Sequence, residues 1–284
     1  MPASQQYQHE DHDECVGRVG RVGHAGHAGH DQSEQQGENE QSDQKKILQQ
    51  LQYLIRDFQP VAVAKSGESS VPTGWEQLDS ILPHGGWRSG QLVEWLGEVK
   101  GGGVGLLGLW SAWQVAQRGG VLVVLDNTGK FFPPAAAALG IHLSRMLVVS
   151  PRGKADFDWT LDQVLRCRAV GAVWVNLLKI DNRAYRRLQL AVEQSGVFGV
   201  LVREQKCLQD PTWAHLRLCV TPLAGQGNWR FRVEVIRAVG GKAGASCELE
   251  FMEITNQQRS KRDGALLNPT NGPRLSQITP NDFR

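Results

Sequence analysis

Hydrophobic positions along this 284-residue chain change period several times, and each change predicts an element. Residues 1–44 have no period: His, Gln, Glu, Asp and Gly dominate, and GRVGRVGHAGHAGH carries a three-residue sub-repeat from Gly17 to His30. With so little to bury, this stretch cannot offset the entropy of ordering and reads as a disordered tail. Over residues 45–58, Ile47, Leu48, Leu51, Leu54, Ile55 and Phe58 fall on one stripe at helical spacing, which predicts a helix in need of a partner surface. Residues 59–71 read as a linker.

From Thr73 the pattern settles into alternation. A short amphipathic helix (Trp75, Leu78, Ile81) leads to a strand near 92–96, then a Gly-rich loop and an apolar helix ending at Gly119-Gly120. Strands follow at 121–125, 146–149, 172–175 and 197–202. Helices intervene after Pro133-Pro134, through Leu161, Val164 and Leu165, and over about 182–194. Continuously apolar strands suit a parallel sheet covered on both faces, so residues 73–203 read as α/β. Residues 215–220, 229–238 and 247–254 add strands, the last two pairing across GGKAG as an antiparallel extension. Beyond about residue 255 the chain is polar, with a net +3 over 258–284, and reads as a flexible tail.

Composition adds three limits. Forty per cent hydrophobic residues with nine Trp suffice for a sizeable core, which excludes a wholly disordered protein. Nine acids against two arginines fall in residues 1–44, so the 29 bases and 20 acids downstream leave the folded part mildly basic. No basic-plus-apolar leader opens the chain and no apolar run approaches the ~18 residues of a membrane span, so a soluble, cytoplasmic protein is expected. Five widely spaced cysteines without Cys-x-x-Cys fit reduced thiols. His24, His27 and His30 offer imidazoles without fixed geometry, and no metal site is assigned.

The chemistry concentrates after the strand QLVEWL. GEVKGGGVGLL has the spacing of a phosphate loop, whose pattern is G-x-x-x-x-G-K-[ST] between a strand and a helix. Gly97 and Gly102 fill both glycine positions. Gly103 and Val104 stand where the pattern needs a Lys for the phosphates and a hydroxyl for Mg²⁺. Lys100 lies inside the loop, where a lysine is ordinarily solvated. Helix N-terminal amides attract anions, but phosphoryl transfer depends on the missing charges.

The stretch TGWEQLDSILPHGGWRSGQLVEWLGEVKGGG resembles the start of the RecA recombinase core. VLVVLDNTGK resembles the strand that carries a catalytic Glu two residues after an Asp: Asp126 matches the Asp, and Thr128 stands in the Glu position. AVWVNL resembles the strand bearing the metal-associated Asp, and Asn176 stands there. PTWAHLRL and WRFRVEVIRAVGGKAGASCELEF resemble the last strands, so the likeness covers about residues 72–254. The loop without a Lys at the phosphate position and LKIDNRAYRRLQLAVEQSGVFGVLVR are more similar to the ImuA family than to RecA itself. That resemblance implies a RecA-like three-layer core that has lost its ATPase, with no catalytic residue and no cofactor. It implies a bacterial, nucleoid-associated accessory protein of damage-induced, error-prone translesion DNA synthesis. Its implied partners are a polymerase-like adaptor of the ImuB type and an error-prone replicative-type polymerase. Some members interact with RecA.

RecA proteins hold single-stranded DNA on loops after the fourth and fifth core strands, and here both connections, 177–181 and 204–212, are short. Basic residues near them are Lys179, Arg183, Arg186, Arg187, Arg203 and Lys206, candidates for salt-sensitive DNA contact or partner contact. Arg183, Arg186 and Arg187 share a helix face, which solvation alone would explain. Trp213 is the candidate for base stacking, whereas Trp95, Trp110, Trp113 and Trp174 lie in apolar patterns that suit a core. Arg230 and Arg232 alternate with Trp229, Phe231, Val233 and Val235, and Glu248 and Glu250 are expected to neutralise them across the hairpin. Two other function classes are open: a nucleotide-dependent recombinase-like ATPase and a single-stranded DNA-binding module.

Overall fold

Apolar, β-branched runs such as VLVVL and VGAVWVN supply strands that are buried on both faces, and a single eight-stranded sheet results. The computed structural model describes residues 70–98, 101–177, 179–224 and 228–251. The expectations for residues 1–69, for Lys100 and for the tail beyond Phe251 lie outside the described residues. In chain order the strands are β1 (Leu92–Gly97), β2 (Val121–Leu125), β3 (Met146–Val149), β4 (Val170–Asn176), β5 (Phe198–Glu204), β6 (Leu216–Leu223), β7 (Trp229–Ala238) and β8 (Ser246–Phe251). The helices are α1 (Glu76–Ile81), α2 (Val104–Ala116), α3 (Pro133–Ala138), α4 (Gly153–Arg166) and α5 (Asn182–Ser195). Spatial order across the sheet is β3-β2-β4-β5-β1-β6-β7-β8. The first six of these strands run parallel, and β7 and β8 add the antiparallel extension.

Strand alternation divides the side chains into two cores. Val93, Trp95, Val124, Val200 and Val202 face α1, α2 and α3, where Leu107 and Ala112 of α2 fill the layer. Leu92, Leu125, Val173 and Leu201 face α4 and α5 and meet Leu165, Tyr185 and Val192. Burying each large side chain stabilises by roughly 1.5–3 kcal/mol. The helices end by local chemistry. Asp181 caps α5 by accepting from the Ala184 N–H at 2.8 Å, a bond that lowers its pKa, and Gly196 closes it at φ 84°.

Two hairpin details differ from expectation. Trp229 shares the face of Phe231, Val233 and Val235 but is 58% exposed, because it opens β7 opposite Phe251, the last described residue of β8. Glu248 alone takes both Arg230 and Arg232, at 3.0 and 3.1 Å, while Glu250 bonds Asn228. Among the described residues, no helix is long and apolar enough to cross a membrane.

Candidate functional site

The parallel strands β1, β2, β4 and β5 end along one edge, and the described residues of the degenerate phosphate site fall there. At the end of β1, Gly97 is squeezed between the sheet and α2: a Cβ there would meet Val220 O at 3.0 Å and Val104 Cβ at 3.1 Å. The loop folds back on itself, so a Cβ on Gly102 would lie 2.3 Å from Glu98 O. Gly103 caps α2 at φ 74°, a left-handed backbone that L side chains rarely adopt. The direction a side chain at 103 would take is filled by Phe231 of β7, whose Cε1 lies 2.1 Å from the Cβ position. The cationic position of the cradle is thus lost twice, in the residue and in the space for one. Val104, the first residue of α2, is buried in the core and presents no hydroxyl.

The carboxylate side is equally committed. Asp126 Oδ1 accepts from the Thr128 N–H at 3.0 Å and the Thr128 hydroxyl at 2.8 Å, and its Oδ2 accepts from the Phe131 N–H at 2.7 Å. Burial alone would raise its pKa, but these bonds, with a further one from Gly129, hold it below the usual value. Asp126 therefore closes its own turn, and Thr128 folds onto it. Asn176, at the end of β4, has a buried Oδ1 with no hydrogen-bond partner among the described residues. A neutral amide there, with Gly103 in place of the phosphate-binding lysine and a self-bonded Asp126, does not fit Mg²⁺–triphosphate, and no step is derived through that group. Nor does any group of three or more His, Cys, Asp or Glu among the described residues gather for a metal.

Beside the cradle opens a cleft of about 920 Å³ with largely apolar walls: Leu106 and Leu109 from α2, Ala136 and Leu139 from the α3 region, and the rings of Phe131 and Trp174, 5.9 Å apart. Glu98, Asp126, Lys130, Asn176, Glu204 and Lys206 also line it. Trp174 is held by donating from Nε1 to Gly105 O at 3.2 Å. The arrangement suits an apolar occupant better than a polyanion.

The basic candidates separate. Arg183 and Arg187 are exposed on α5 and Lys179 just before it. Arg186 bonds Gln189 and covers one face of Trp213 at 4.7 Å from the ring centroid, while Trp213 Nε1 donates to Asn182 Oδ1 at 2.6 Å. Lys206 is exposed and ion-paired with Glu204. Arg203 is a correction: it is 2% exposed and cannot touch DNA or a partner, because it faces inward on β5 and pairs with Glu94 at 2.7 Å.

That pair belongs to a buried network whose role the sequence reading missed. Glu94 of β1, fully buried, accepts from Arg203 Nη1, from Arg217 Nε at 2.6 Å and from the Thr212 hydroxyl at 2.9 Å. Arg203 also reaches Asp210 at 2.8 Å, and Arg217 donates to the carbonyls of Cys207, Leu208 and Asp210. Burial disfavours the Arg203 charge, but Glu94 more than offsets this and raises its pKa. Burial and the nearby Glu94 charge likewise raise the pKa of Tyr185, whose hydroxyl lies 3.0 Å from that of Thr212. Two arginines thus tie the β5–β6 connection to the sheet. The available signal was a single charge in each of the apolar runs LVEWL, VLVR and LRLCV.

No family model matches the chain. Protein ImuA of Caulobacter vibrioides (strain NA1000 / CB15N) is 28% identical over 145 residues, covering 45% of this chain and 59% of that protein. Protein RecA of Lactobacillus johnsonii is 30% identical over 148 residues, covering 50% of this chain and 39% of that protein. Protein RecA of Prochlorococcus marinus is 32% identical over 128 residues, covering 43% and 33%. The matched region therefore spans about three fifths of ImuA and less of RecA. Among solved structures, the crystal structure of the RadB recombinase superposes with a TM-score of 0.51 at 16% identity, over 64% of this chain and 96% of that one. Sheet order and the structural likeness agree on a RecA-like fold, and in sequence the chain is similar to ImuA and to RecA.

Proposed function

We propose that this chain is a non-catalytic RecA-like accessory protein of damage-induced, error-prone translesion DNA synthesis. It works by binding proteins: a polymerase-like adaptor of the ImuB type, an error-prone replicative-type polymerase, and RecA. The observation that carries the non-catalytic reading is Phe231, whose ring takes the space a phosphate-binding side chain at 103 would need. The engaged carboxylate of Asp126 and the amide of Asn176 support it, because one carboxylate position of the motif is held by its own turn and the other carries no charge. The likeness to ImuA supports the biological setting. Anchoring of the β5–β6 connection by Arg203 and Arg217 argues against a mobile RecA-style DNA loop, and leaves Lys179, Arg183, Arg186, Arg187, Lys206 and Trp213 as the proposed partner or DNA contacts.

The test is capture of the tagged full chain from DNA-damaged cells, together with calorimetric titration by Mg²⁺–ATP. Recovery of the adaptor without nucleotide binding is expected. Mg²⁺-dependent turnover that disappears when Gly102 is changed overturns the proposal in favour of an ATPase.

A further inference from the structure

The thirteen residues of α2, VGLLGLWSAWQVA, include no charge, the composition of a helix covered on all sides. Its inner face is covered: Leu107 and Ala112 are fully buried against the sheet. Its outer face is not, for Gly105, Leu106 and Trp110 are only half-buried. Gly105 and Leu106 line the apolar cleft, and Phe132, which also lines it, is 65% exposed. Folded chains rarely leave a contiguous apolar surface of this kind open to water.

The described chain begins at Ser70 and reaches this helix at once. The Trp75 ring lies 6.4 Å from that of Trp110, and a Cβ on Gly74 would touch Trp110 Nε1 at 3.4 Å. Upstream, Ile47, Leu48, Leu51, Leu54, Ile55 and Phe58 form the stripe at helical spacing that needs a partner surface. Only residues 59–69 separate that stripe from Ser70, and fully extended they span up to about 35 Å. The whole of α2 is about 20 Å long, so the stripe reaches every part of the open face.

We propose that the stripe of residues 47–58 packs within its own chain across the outer face of α2 and into the cleft against α3. Laying an amphipathic helix into an apolar groove is a recurrent mode of recognition. The short tether gives an effective concentration in the millimolar range, so the chain's own stripe outcompetes that of a second copy at micromolar protein. This docking does not depend on any role in DNA synthesis.

The test uses the full chain with Leu51 replaced by the photoreactive residue benzoylphenylalanine, irradiated at about 1 μM, far below the effective concentration of the tether. Crosslinks within one chain to peptides between residues 105 and 139, in a product of monomer mass, are expected. Ala135 is exposed at the cleft, so Ala135→Glu leaves the fold intact. It is expected to cut the crosslink yield about fivefold, since docking would bury an unpaired charge. Dimeric crosslinked product, crosslinks elsewhere on the chain, or a yield unmoved by Ala135→Glu overturns the proposal.

Discussion

Arg217 Nε donates to Glu94 Oε2 at 2.6 Å, and both side chains are buried between the sheet and α5. Two guanidinium groups share this one carboxylate, so removing its charge strands Arg217 and leaves Arg203 with Asp210 alone. Glu94→Gln is expected to destabilise by about 3–5 kcal/mol, the usual cost of breaking a buried ion pair from one side. Replacing Glu94, Arg203 and Arg217 together by Met and Leu removes the charges with their desolvation cost and is expected to lose far less. Urea denaturation of the two variants measures the difference; equal losses would mean that packing, not charge, dominates.

Phe231 against Gly103 leads to a second expectation. Any L side chain at 103 pays for a left-handed backbone, about 1–2 kcal/mol, and collides with the ring, about 1–3 kcal/mol more. Gly103→Ala is therefore expected to lower the thermal midpoint, and Phe231→Leu to relieve part of that loss in the double variant. Gly103→Lys is expected to restore no Mg²⁺–ATP binding, because the lysine stem has nowhere to go. Calorimetry checks this directly, and binding by Gly103→Lys would mean that the ring yields.

How far these features were legible follows from their range along the chain. Strands β1 to β5 were readable because four apolar runs each stand between helices and a fifth follows the last helix, and the four chemical departures were readable because each replaces one residue at a fixed motif position. The Glu94–Arg217 pair, 123 residues apart, was not readable, since no local pattern says which buried charges meet. Arg203 misled for the same reason: beside a loop it reads as surface, and only its inward register on β5 reveals otherwise. Phe231 read as ordinary hairpin core, and its second contact, with Gly103, exists only after β6 and β7 fold back beside β1.

Arg183 and Arg187 are exposed on α5, so Arg183→Ala with Arg187→Ala is expected to change stability by no more than about 0.5 kcal/mol each. Capture of the polymerase-like adaptor is expected to fall while single-stranded DNA affinity stays unchanged. If adaptor capture persists and the slope of log affinity against log salt becomes shallower by about two, the helix face belongs to DNA.

Asp126 supplies the pH dependence. Its folded pKa lies below the ordinary 3.8: burial opposes ionisation, but the donors of Phe131, Thr128 and Gly129 outweigh it. A depressed carboxyl contributes stability that is fully present above its unfolded pKa and is lost as pH falls through the folded one. Asp126→Asn keeps one acceptor but turns an amide N–H₂ toward the N–H of Phe131 or the donors of Thr128, at a cost of about 1–3 kcal/mol at neutral pH. Wild type and variant are therefore expected to differ most above pH 3.8 and to converge below it, as Asp126 takes up its proton. Denaturation curves collected from pH 7 down to pH 2.5 check this, and a gap that stays constant across the range would show that Asp126 carries no depressed pKa.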